Sequence, residues 1–135
     1  MGKKLDTIEG IGPTFQEKLS SAGIGSVEAL LETAGSAAGR QRLATETGIA
    51  GKKILTWVNH ADLFRINGIA GQRAELLEAA GVDSVPALAR RNPANLAAKC
   101  LEVNAEKKLV RAVPTEKELT GWISQAKELP KAVTH

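Results

Sequence analysis

The thirty residues from Leu5 to Ala34, LDTIEGIGPTFQEKLSSAGIGSVEALLETA, are written a second time 58 positions later, from Leu63 to Asn92, as LFRINGIAGQRAELLEAAGVDSVPALARRN. Twelve of the thirty aligned positions are identical, including Leu5 with Leu63, Ile8 with Ile66, Gly10 with Gly68, Ile11 with Ile69, Leu19 with Leu77 and Ala22-Gly23 with Ala80-Gly81. So ordered an agreement makes the chain a diverged duplication, and whatever one half folds into, the other must broadly fold into too. With one residue inserted, the match extends to LTWVNHA at Leu55 to Ala61 against LTGWISQA at Leu119 to Ala126. Two repeats follow, 1–62 and 63–135, each a hairpin with a helical extension ending on a Trp helix; the second also carries a short C-terminal tail.

Helix signals are dense along both copies and strand signals nearly absent. Pro13 stands where a first-turn proline belongs, and Phe15, Lys18, Leu19 and Ala22 then run at helical spacing to a terminating Gly23. Ser26 and Ser84 read as N-caps of short helices, and Ser36 opens a further helix ending at Gly48. Ile54, Trp57, Ala61 and Phe64 share one face of a helix over 52–64. Asn92-Pro93 is a cap with a first-turn proline ahead of Leu96, Cys100 and Val103, and Thr115 with Glu118 makes a capping box before Leu119, Trp122, Ile123 and Ala126. The expected fold is all-α, about eight to ten short helices with the two repeats packed in one compact domain.

A chain of 135 residues has the length of one ordinary domain or two small fused halves. Hydrophobic residues make up 43% but aromatics only 3%, so the core must be aliphatic, with Trp57 and Trp122 as anchors rather than base-stacking platforms. Cys100 is the single cysteine, which rules out an intramolecular disulfide and argues against a cysteine-based metal site; it reads as a small buried hydrophobe. No apolar run is long enough to cross a membrane, and a soluble cytoplasmic protein is expected. The net charge of +3 is uneven: 1–62 holds seven basic and seven acidic residues, 63–135 eleven and eight. That mildly favours an anionic partner without forming a dense basic stripe.

The stretch Leu5-x-x-Ile8-x-Gly10-Ile11-Gly12-Pro13 followed by Leu19 resembles the helix-hairpin-helix motif. The resemblance implies sequence-independent binding of a nucleic-acid phosphate, more often DNA, by hairpin amides and the start of the second helix. Elementary physics agrees, since free N–H groups, a helix dipole and glycines that admit close approach suit an anion. Carried over, the phosphate-binding residues are Gly10, Gly12, Thr14 and Lys18, with Gly68, Ala70, Gln72 and Arg73 as counterparts in the second copy. There the motif departs, because Ala70 replaces Gly12 and Gly71 replaces Pro13. If the turn needs positive φ at that position, Ala70 is strained by on the order of 1 kcal/mol. Lys107, Lys108 and Arg111 are expected to share one helix surface as a further basic patch, with Lys52-Lys53 and Arg90-Arg91 as lesser ones. Over nearly its whole length the chain also resembles a bacterial family of unknown function built from two such hairpin units, in which phrases like WVNHADLFRI and LARRNPANL recur.

Catalytic signatures do not stand out: the sequence has no phosphate-cradling GxxxxGK, paired-carboxylate motif or nucleophile elbow, and His60 and His135 lack a ligand constellation. The expectation is a non-catalytic protein with no cofactor and no metal. Two readings stay open: weak, salt-dependent nucleic-acid binding through the first hairpin, and a protein-interaction or scaffold module that keeps the fold without binding nucleic acid.

Overall fold

The computed structural model describes residues 3–69 and 71–134. These form eight α-helices and no strand: α1 Pro13–Ser21, α2 Val27–Ala34, α3 Ala37–Thr47, α4 Gly51–Leu63, α5 Gln72–Ala79, α6 Val85–Ala89, α7 Pro93–Lys107 and α8 Glu116–Glu128, with a short 3-10 turn at Leu5–Thr7. None of the helices among the described residues is long and apolar enough to cross a membrane.

The chain divides into two compact units, and the described part of the first comprises 3–62 with 132–134. It holds the 3-10 turn and α1 to α4 around Leu5, Ile8, Leu19, Leu30, Ile54 and Val58, all essentially without exposure. Side-chain caps open the helices where the sequence places them: Ser26 Oγ accepts from the Ala29 amide at 3.1 Å, and Ser36 Oγ from Gly39 at 3.0 Å. After α1 the chain reverses through Gly23 at φ +87, and the Ile24 amide donates back to the Leu19 carbonyl at 2.9 Å while the Ile24 side chain is buried.

Arg40 on α3 holds the end of this unit together. It is 8% exposed and donates from Nη1 to the carbonyls of Ala34 at 3.1 Å and Gly35 at 2.9 Å, at the close of α2, and from Nη2 to Thr134. The Thr134 amide in turn donates to the Gly35 carbonyl at 2.9 Å, and Val133 is buried. Burial pulls the guanidinium's pKa down, but an arginine starts so far above neutrality that it stays charged. A cation at a helix C-terminus also suits the helix dipole. Arg40→Met leaves the Ala34 and Thr134 carbonyls without the guanidinium donor and takes one of the two donors from Gly35, so urea unfolding should register a loss of about 2–4 kcal/mol. A loss below about 0.5 kcal/mol would mean that the cluster is not stabilising.

The second unit comprises 63–131, of which all but residue 70 is described. Here α8 packs on α6 and α7, and α5 packs on α7, around Leu76, Leu77, Leu88, Leu96, Cys100 and Leu119. The corner after α5 repeats that after α1, with Gly81 at φ +95 and the Val82 amide on the Leu77 carbonyl at 2.8 Å. Ser84, Asn92 and Thr115 cap α6, α7 and α8, and at Thr115 both halves of the capping box are present. Burial pushes the Cys100 thiol up, with Arg91 pulling weakly the other way. A buried thiol held protonated is a packing group rather than a nucleophile.

Candidate nucleic-acid interface

Both repeats build the same turn from the same residues. After the apolar Ile8 or Ile66, the chain bends through Gly10 at φ +95 or Gly68 at φ +104, and the Ile11 or Ile69 amide closes the bend on the Ile8 or Ile66 carbonyl at 3.2 Å. Ile11 and Ile69 go into the core. Each bending glycine also lies against a tryptophan of its own unit. A Cβ at Gly10 would stand 3.4 Å from Trp57 Nε1, and one at Gly68 only 2.7 Å from Trp122 Nε1. The two Trp helices therefore hold the same place in each repeat, as the extended sequence match implies.

The second glycine behaves otherwise than its sequence suggests. Gly12 has φ −92 and ψ −174, an extended conformation open to any residue, and a Cβ there would meet nothing within 4 Å. No positive φ is required at that position, so the first copy's turn gives no cause for strain in an alanine there; Ala70 itself lies outside the described residues. The second copy places its glycine requirement one residue later, at Gly71 with φ +50 and ψ −117, where the first copy has Pro13. One helix is thus entered through a proline and the other through a glycine-specific bend.

At the first hairpin the expected donors come together. Gly10, Gly12 and Thr14 are exposed, and their amides donate to no partner among the described residues. Gly12 is the N-cap of α1 and brings no side chain to satisfy the first-turn amides. Phe15 stands edge-on to Trp57 with ring centroids 5.1 Å apart, and the ammonium groups of Lys18 and Lys53 lie 6.0 and 5.7 Å from the Phe15 centroid. Neither lysine has an acidic partner within 4 Å among the described residues. Lys53, one of a lesser basic pair in the sequence, reaches Phe15 from the Trp helix, a placement that no local signal reveals.

The second hairpin keeps the frame and changes the charges. Arg73, aligned with Phe15, lies over the Trp122 ring at 5.5 Å, donates to the Gly68 carbonyl at 2.8 Å and pairs with Glu118 at 3.6 Å. Glu118 stands four residues before Trp122, as Lys53 does before Trp57, so a cation in one repeat is a carboxylate in the other. Leu76, aligned with Lys18, is buried. Asn67 is clamped by Gln125, its amide donating to Oε1 at 2.9 Å and its carbonyl accepting from Nε2 at 3.3 Å. Gln72 is exposed at the start of α5, where it lines a shallow cleft with Gly68, Arg73 and Arg111.

The expected basic surface does not form on one helix. α7 ends at Lys107, Lys108 takes φ +52 as its left-handed C-cap, and Arg111 lies in the following loop. Asn104 turns that loop back, accepting from the Val110 amide at 2.9 Å and donating to the Val110 carbonyl at 3.0 Å. Arg91 is committed to structure, reaching the Ala80 carbonyl at 3.4 Å at the end of α5. Among the described residues no three His, Cys, Asp or Glu side chains gather in a way that could hold a metal ion, and His135 lies outside them.

No curated protein and no solved structure matches the chain. A family model described as a domain of unknown function, DUF4332, matches residues 9–129, spanning both hairpins and both Trp helices, and the chain belongs to that family.

Proposed function

We propose that the protein is a non-catalytic, sequence-independent nucleic-acid-binding module of the helix-hairpin-helix kind, favouring DNA, with the first hairpin as its phosphate site. The observation that carries the proposal is the contrast between the repeats. The first hairpin has open amides at Gly10, Gly12 and Thr14 and, around Phe15, the cations Lys18 and Lys53, neither in an ion pair among the described residues, whereas the second hairpin has Leu76 and Glu118 at the two cation positions. Backbone amides and mobile lysines recognise phosphate without reading bases, so the binding is indifferent to sequence. Because residues 1–62 carry seven charges of each sign, attraction is local rather than global, and binding is weak.

Titration of fluorescently labelled duplex DNA at two salt concentrations tests this. The expected dissociation constant at physiological salt is about 10⁻⁴ to 10⁻⁶ M, tightening as salt is lowered. Absence of binding at low salt contradicts the proposal. In that event a protein partner whose capture survives nuclease treatment favours the scaffold reading.

A further inference from the structure

Beside the first hairpin the structure holds an open cleft lined by Glu9, Gly10, Lys52, Lys53, Thr56 and Trp57. Trp57 is only 3% exposed, yet its indole N–H has no hydrogen-bond partner among the described residues. Its nitrogen is the atom that a Cβ at Gly10 would meet, at 3.4 Å, so it lies at the cleft wall that Gly10 forms. An indole N–H is a donor with no acceptor capacity, and the open cleft gives this one access to an incoming acceptor. Lys52 and Lys53 are exposed on the first turn of α4 with no acidic side chain within 4 Å among the described residues. Two lysines against Glu9 leave the lining at +1. Thr56 Oγ1 donates to the Lys52 carbonyl at 3.2 Å, and its oxygen retains acceptor capacity only. Donors converge here with net positive charge, which suits an oxyanion.

From this we infer a second anion site in which a phosphate oxygen accepts from Trp57 Nε1–H, with Lys52 and Lys53 supplying the charge. Resting on the reading of the first hairpin, the inference makes this cleft the second phosphate contact of the strand held there. The equivalent indole in the other unit serves as the comparison: Trp122 Nε1 also donates to no partner among the described residues, but its ring lies under the Arg73 guanidinium, itself paired with Glu118.

Nitrogen-15 NMR of the full chain reads both sites at once. The two indole N–H resonances are assigned by their loss in Trp57→Phe or Trp122→Phe, whichever folds. Added inorganic phosphate should shift the Trp57 indole and leave Trp122 in place, and a short duplex should shift it together with the Gly12 and Thr14 amides. Lys52→Gln/Lys53→Gln, at exposed positions, should weaken the phosphate response about tenfold. A Trp57 indole that stays still with both probes, or that moves no more than Trp122, overturns the inference. If Gly12 and Thr14 respond to the duplex while Trp57 does not, the cleft fails and the hairpin reading stands. Movement of Trp57 without Gly12 and Thr14 sustains the cleft as a phosphate site and overturns the hairpin reading. A response to phosphate but not to duplex overturns the strand contact and leaves a site for a small phosphate.

Discussion

Gly68→Ala is expected to destabilise the protein by about 2–4 kcal/mol, read as a drop of several degrees or more in Tm. Two costs combine. The position has φ +104, outside what L side chains readily adopt, and the new Cβ would stand 2.7 Å from Trp122 Nε1 and 3.4 Å from Cε2. That ring is buried, with Arg73 across it, so it cannot easily withdraw. Gly10→Ala at φ +95 shares the backbone cost but meets Trp57 Nε1 at 3.4 Å, so its loss should be smaller by about 1 kcal/mol. Equal losses at the two positions would mean that the tryptophan contact contributes nothing.

Reversing the two cations of the first hairpin, Lys18→Glu/Lys53→Glu, should weaken duplex binding at low salt by roughly 100-fold and reduce the salt slope by about 2. Both side chains are exposed and bridge to no acid among the described residues, so the fold should tolerate the change. The matched control is Lys107→Glu/Lys108→Glu, which alters net charge equally at the end of α7, with an expected loss of no more than about threefold. If the two pairs weaken binding alike, attraction is a property of overall charge and the first hairpin has no special part.

The features legible in the sequence are those decided within a few residues. Ser26, Ser36, Ser84, Asn92 and Thr115 cap the helices expected of them, because a cap bonds an amide three positions on. Gly23 and Gly81 end helices for an equally local reason. What escaped depends on distant parts of the chain or on side chains with several uses. Arg40 looks like a solvated charge until the tail, 94 residues away, brings the Thr134 carbonyl to it. Lys108 gives no sign of a left-handed cap, so the basic residues around it read as one helix face. Gly12 carries a glycine for which the backbone has no conformational need, and the demand expected there falls on Gly71 in the other copy. Phe15 and Arg73 look unrelated in the alignment, yet each packs on the tryptophan of its own repeat.

That idle glycine provides the most direct test of the first hairpin as the phosphate site. Gly12→Val suits an extended backbone and its Cβ has no neighbour within 4 Å, so the variant should fold with an unchanged Tm. Its branched side chain would nonetheless stand among the exposed amides and hold a phosphate away. Duplex titration at low salt should give at least a tenfold loss for Gly12→Val and less than a twofold change for Gln72→Ala at the second hairpin. Wild-type affinity in Gly12→Val, or a larger loss in Gln72→Ala, would contradict the account.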